Sequence, residues 1–198
     1  MRQEVQQAFT LLDFFLYNCT MKFIALLRGI NVGGNNKVAM SELKACFEVA
    51  GFDNVVTYIN SGNVVFESVQ TDTVKLVAMC EKAIEKQFGF HIICSVVSSD
   101  ELLDALKHAP KWWNNSDAKH NAIFAIAPKK AEEIIAEMGE AKPEYESVVA
   151  HHPIIFWSAP TKTFSRTRYS KIVGTKTYQS VTIRNASTTC KLAELCQS

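Results

Sequence analysis

No cysteine pair, no long uncharged apolar run and no excess of either charge stands out in this chain, and each absence removes a class of protein. The six cysteines, Cys19, Cys46, Cys80, Cys94, Cys190 and Cys196, are scattered, with no C-x-x-C pair and no histidine at a zinc-finger interval. They read as reduced thiols that pack as small apolar residues in a cytoplasmic protein. His151 and His152 are adjacent, and adjacent side chains on an extended segment face opposite ways, so they make a poor chelating pair. Neither a metal nor a cofactor is expected. A net charge of +1 over 198 residues gives no argument for a nucleic-acid coat or a membrane surface. Residues 1–20 come nearest to an apolar leader, but Glu4 and Asp13 interrupt them, no small-residue cleavage pattern follows, and the stretch is too short and too charged to span a bilayer. Met21 directly precedes the first strong strand, so residues 1–20 are expected to be an extension outside the core.

Catalytic signatures are equally scarce. Gly29 and Gly34 have the separation of a Walker A loop, yet Asn35 stands where its lysine belongs and Lys37 is followed by Val38. Asn31 occupies the second glycine position of a dinucleotide fingerprint, so neither ATPase nor nicotinamide chemistry is supported. Serines and cysteines lack a neighbouring histidine and a third orienting group in any recognised arrangement, and the pair Glu132-Glu133 falls on a solvated helix. No catalytic residue is assigned, and whether the protein is an enzyme stays open at this stage.

What is present is a globular composition, 47% hydrophobic and ample for a core, with clear punctuation from Met21 onward. Residues 23–28 read as a buried strand. Ser41 is placed to cap a helix whose Leu43, Cys46, Phe47 and Ala50 recur at helical spacing until Gly51. Residues 54–60 and 63–67 are β-branched and aromatic runs about Ser61-Gly62, a hairpin, followed by a helix at 71–88 and a strand at 91–97. After a helix at 99–108 and a polar loop at 110–119 the order restarts. It gives a strand at 121–126, a helix at 129–138, a hairpin of 148–150 with 154–157, a short helix at 165–172, a strand at 180–183 and a helix from Ala186. The predicted fold is α+β: two ferredoxin-like βαββαβ subdomains, 21–98 and 121–198, joined by 99–120, each an antiparallel sheet with helices on one face.

The strongest functional signal is FIALLRGINVGGNNK, residues 23–37. Such a strand normally needs only about 2–6 residues before its helix, and here the helix waits longer. Gly29, Gly33 and Gly34 can adopt positive φ and offer backbone N–H groups, while Arg28 and Lys37 bracket them with charge. In a βαββαβ unit the first two strands run the same way. The loop at 29–37 and the turn of Asn60, Ser61, Gly62 and Asn63 therefore leave the sheet at one edge, beside a helix N-terminus, where an anion is favoured. Near the C-terminus Arg184 precedes Asn185, a good N-cap. A cation at that positive helix end suits an anionic ligand, each charge-assisted contact contributing about 1.5–3 kcal/mol. From residue 161 to 198 seven basic residues face Glu194 alone, a local balance of +6 that leaves −5 elsewhere. Within it Arg166, Arg168 and Lys171, interleaved with hydroxyls, form a secondary basic patch. The bland alternatives are that the glycines allow a wide turn, the asparagines bond their own backbone, and Trp112 and Trp113 pack over the junction instead of stacking on a base.

Three blocks, IALLRGINVGGNNKVAMSELK, VVTYINSGNVVFES and SRTRYSKIVGTKTYQSVTIRN, closely resemble the bacterial domain of unknown function 1697 family. The resemblance runs essentially from Met21 to the C-terminus and implies a cytoplasmic α+β protein with two ferredoxin-like halves and no established activity. Family members often carry a tryptophan after the Arg-Asn pair, where this chain has Ala186 and Ser187, which puts aromatic stacking there in doubt. The functional expectation is a phosphate-bearing small ligand, a nucleotide or nucleotide-like metabolite. Arg28, Lys37 and Arg184 would neutralise it, Gly33 and Gly34 cradle it, and Asn31, Ser61, Gly62, Asn63 and Asn185 orient the rest. The alternatives are a single-stranded nucleic-acid-binding module, although no pair of RNA-stacking aromatics is evident, or a scaffold for an acidic partner protein. No membrane partner is expected.

Overall fold

Apolar residues on both faces of β1 (Met21–Arg28) make it a central strand: Phe23, Ala25 and Leu27 enter one apolar cluster, Ile24 and Leu26 another. The computed structural model describes residues 20–33, 36–115 and 118–198. The predicted extension, Gly34 and Asn35 thus lie outside the described residues, Thr20 apart. β1 leads to α1 (Met40–Val49), the hairpin β2 (Asp53–Tyr58) and β3 (Asn63–Ser68), then α2 (Thr73–Phe88), β4 (Ile93–Ser98) and α3 (Ser99–Lys107). The second unit runs β5 (Lys119–Ala125), α4 (Ala131–Met138), β6 (Ser147–His151), β7 (Ile154–Ala159), three short 3-10 segments (Thr161–Arg166, Tyr169–Gly174, Lys176–Ser180), β8 (Val181–Asn185) and α5 (Ala186–Gln197).

Both sheets are four-stranded and antiparallel, in the orders β2-β3-β1-β4 and β6-β7-β5-β8, so the chain is α+β with ferredoxin-like βαββαβ order in each half. β1 and β2 both run antiparallel to β3 and so point the same way. In the second half the 3-10 segments replace the predicted single helix at 165–172. The hydroxyls explain the difference: Thr167 Oγ1 donates to the Phe164 carbonyl at 2.7 Å and accepts from Ser170 N–H at 3.2 Å, and Thr175 Oγ1 donates to the Ile172 carbonyl at 2.7 Å. Such bonds offer the backbone tight turns in place of an α-helical ladder.

Helices cover both faces of each sheet, where helices on one face were expected. α1 and α2 close the outer face of the first sheet over Phe47, Phe66, Leu76 and Ile84. α4 and the 3-10 segments close the outer face of the second over Ile134, Trp157, Tyr169 and Ile172. Between the sheets lies a third apolar layer in which α3 and α5 pack against Ile24, Leu26 and Val65 from one sheet and Ala122, Phe124 and Phe156 from the other. Trp113 is buried in this layer, edge-on to Phe156, with its indole N–H on the Asn121 carbonyl at 3.0 Å, which is the packing role. Cys46, Cys80, Cys94 and Cys196 are buried and Cys190 is half-buried, all as free thiols. No helix among the described residues is long and apolar enough to cross a membrane.

Candidate functional site

The three sequence blocks converge where the two sheets meet. Because strand side chains alternate, Arg28 and Arg184 both project toward the middle layer, from the end of β1 and from β8. The loop after β1 does touch the β2–β3 turn. The amide of Asn31 donates to the carbonyls of Val38 at 2.9 Å and Asn60 at 3.0 Å, its Oδ1 accepts from Val38 N–H at 2.8 Å, and Leu27 N–H donates to the Gly62 carbonyl at 2.8 Å. Asn36 adds a bond to the Gly29 carbonyl at 3.1 Å. Asn31 and Asn36 therefore bond the backbone of this loop and of the adjoining turn. Gly62 is required by space as well as by φ (75°), since a Cβ there would stand 2.7 Å from Leu27 Cβ and from Ile30 Cδ1.

Arg184 is 8% exposed and its donors are spent within the protein. Nε donates to Asn63 Oδ1, Nη1 to Thr182 Oγ1 at 3.0 Å and the Ile183 carbonyl at 2.9 Å, and Nη2 to the carbonyls of Leu27 at 2.7 Å and of Ser61 and Gly62 at 3.2 Å. Burial lowers its pKa to about 10. Arg28 crosses in the opposite direction, donating to the Tyr178 and Val181 carbonyls and, at 2.8 Å, to Gln179 Oε1, with its guanidinium 4.6 Å over the Tyr178 ring. Burial lowers its pKa too. Both arginines are struts between the two units. Buried Asn63 serves Arg184, its own amide donating to the Tyr58 carbonyl and to Ser61 Oγ, both at 3.0 Å.

The groups left facing solvent at this edge are few. Gly33, at φ 59°, and Lys37 are exposed. α1 begins at Met40, with Ala39 and not Ser41 at the N-cap position, so no side chain caps it. Its first N–H groups have no intrahelical acceptor. Asn185 caps α5, its Oδ1 accepting from Thr188 N–H at 2.7 Å, and α5 carries no acidic residue in its first turn. Beside that helix start is a polar cavity of about 330 Å³ lined by Asn114, Lys119, His120, Asn185, Ala186 and Ser187, among others. His120, 8% exposed, has neither ring nitrogen hydrogen-bonded among the described residues.

A protein-family model described as "Protein of unknown function (DUF1697)" matches residues 21–156. The chain belongs to the DUF1697 family. That span contains the first two blocks and ends before the third. Among solved structures the chain is similar to the conserved bacterial protein SP0830 from Streptococcus pneumoniae, at 30% identity and a TM-score of 0.80, over 90% of this chain and 99% of that one. No curated protein matches the chain.

Within this DUF1697 chain the secondary basic patch is dispersed over the 3-10 segments. Arg166 lies 5.8 Å from the Tyr145 ring centroid, Arg168 reaches the Met138 carbonyl at 3.4 Å, and Lys171 is exposed. Their scaffold is Glu146, 4% exposed, whose carboxylate accepts from the backbone N–H groups of Lys142 (3.1 Å), Arg168 (2.7 Å) and Tyr169 (3.1 Å) and from Trp157 Nε1 (3.1 Å). Sequence reasoning missed both Glu146 and His120. For His120 a signal existed: along β5 the positions 120, 122 and 124 share the inner face, and a histidine is the polar member of that apolar series.

Proposed function

We propose that the protein binds a small phosphate-bearing ligand, of nucleotide or nucleotide-like chemistry, in the cavity at the start of α5. The observation that carries this assignment is His120, a buried imidazole whose two nitrogens have no partner among the described residues, on the wall of a polar cavity. Leaving such a group unsatisfied costs about 1–3 kcal/mol, which a bound acceptor or donor offsets. The open N–H groups of the first turn of α5 and its positive dipole end favour an anion, and the Ser187 hydroxyl and Asn114 amide supply neutral contacts. Arg28 and Arg184 are bonded elsewhere within the protein and do not line this cavity. A second location is favoured by the uncapped start of α1, where Gly33 and Lys37 face solvent.

Thermal-shift titration with inorganic phosphate, pyrophosphate and a panel of nucleotides tests both locations. A stabilising compound whose effect is lost in His120→Leu places the ligand at α5, and loss in Lys37→Ala places it at the loop. If no compound raises the midpoint, or if the shift survives both changes, the assignment is wrong.

A further inference from the structure

On another side of the molecule, the last turn of α3 meets the end of β6. Asp104 and His108 are four residues apart and so share one face of the helix end. His151 reaches them from β6, the edge strand of the second sheet. His151 Nε2 lies 3.0 Å from Asp104 Oδ2, His108 Nδ1 lies 3.7 Å from the same oxygen, and the two imidazoles stack at 4.4 Å between centroids and 10° between planes. One nitrogen from each histidine and one carboxylate oxygen all fall within 4.8 Å of one another. An aspartate carboxylate is ionised at neutral pH and supplies an anionic oxygen beside the two imidazoles.

We propose that Asp104, His108 and His151 form a binding site for a borderline divalent metal ion of the Zn²⁺ type, which pins the end of α3 to the edge of the second sheet. Two imidazoles and one carboxylate select Zn²⁺, Cu²⁺ or Ni²⁺ over Mg²⁺ or Ca²⁺, which take oxygen ligands. In a tetrahedral site with bonds of about 2.0–2.1 Å, ligand atoms stand about 3.3 Å apart. The 3.0 and 3.7 Å separations from Asp104 bracket that value, and the two nitrogens lie within 4.8 Å of each other; because an ion sits in the plane of each imidazole it binds, the exposed His108 ring must rotate out of the stack to complete the site. The negative end of the α3 dipole favours a cation. Three local features oppose it. His108 Nδ1 donates to the Asp104 carbonyl at 2.9 Å and His151 Nε2 to Asp104 Oδ2 at 3.0 Å, protons that the metal must displace, and Lys107 adds a like charge next door. Three protein ligands leave a fourth position for water. The site was invisible in sequence because His108 and His151 come from different units and only the shared middle layer brings their elements together.

The test is a Zn²⁺ competition titration of the full chain against a chromophoric chelator in a non-coordinating buffer, repeated with Co²⁺ to read its visible absorption. One equivalent should bind, with affinity falling in acid as protons compete for the imidazoles. His108→Ala, His151→Ala and Asp104→Asn should each weaken binding about tenfold or more and erase the tetrahedral Co²⁺ spectrum, whereas Lys107→Gln should tighten it. Zn²⁺ should raise the thermal midpoint of the parent protein and not of His151→Ala. Asp104, Lys107 and His108 are exposed and His151 is half-buried, and far-UV circular dichroism checks that each variant folds. Absence of binding by the parent, or unchanged affinity in the three ligand variants, which would locate the ion elsewhere, overturns the proposal.

Discussion

Replacing Arg184 by methionine keeps length and burial but removes every donor. Four of its contacts, to Asn63, Leu27, Ser61 and Gly62, cross between the two units. Hydrogen bonds from a charged donor contribute about 1.5–3 kcal/mol each; because Nη2 shares two N–H groups among three carbonyls, the contacts count as three bonds, which at about 2 kcal/mol each sum to about 6 kcal/mol. Against this stands the penalty of burying the cation. A guanidinium lowered from 12.5 to about 10 is disfavoured by roughly 3 kcal/mol, and methionine removes that term. The net loss is about 3 kcal/mol, or roughly 6–12 °C in Tm for a chain of this size. Urea titration at pH 7, followed by far-UV circular dichroism and by the fluorescence of buried Trp113, measures it. Arg184→Lys separates charge from geometry: lysine keeps the buried charge but cannot reach as many acceptors, so it should be less stable than the methionine variant. A methionine variant within 1 kcal/mol of the parent, or a lysine variant as stable as arginine, would refute the strut.

Two further outcomes follow from local geometry. Gly62→Ala places a Cβ 2.7 Å from Leu27 and Ile30 at a left-handed φ and should cost about 2–4 kcal/mol in urea titration, whereas Gly29→Ala, with open space around it at a similar φ, should cost only about 1 kcal/mol. Burial pushes the Tyr169 phenol up to about 12, and its hydroxyl has no partner among the described residues. Because the folded value lies above the unfolded value near 10, its contribution is intact below pH 10 and is lost as pH rises toward 12. Tyr169→Phe should remove that alkaline loss and raise stability by about 1 kcal/mol at neutral pH, read as urea midpoints at pH 8 and pH 11.

The first half of the fold was legible because its signals are local and agree. The continuous apolar run of β1, the Ser61-Gly62 turn and helical spacing in α1 fix the βαββ order, and topology then puts the 29–37 loop beside the 60–63 turn, where Asn31 does bond the Asn60 carbonyl. Local signals misled where partners are distant. Arg184 before an N-cap looks like an anion grip, but the carbonyls that satisfy it lie more than 120 residues away in sequence. The hydroxyl-rich run at 164–176 has the composition of a helix surface, yet its side chains close 3-10 turns around Glu146, whose role depends on Trp157 and Tyr169 folding onto it. Spacing argued against His151 and His152 as a chelating pair but said nothing of His151 meeting Asp104 and His108 from another element.

The shared middle layer has a consequence for how the molecule comes apart. The element order suggests two repeats that would melt in turn, but α3 and α5 each bury their apolar face against both sheets, with Arg28 and Arg184 bolted across the same seam. Loosening either repeat strips the inner face of the other. The protein is thus one cooperative unit in thermodynamic terms, and a fragment cut between the repeats keeps its strands without the surface that makes them fold.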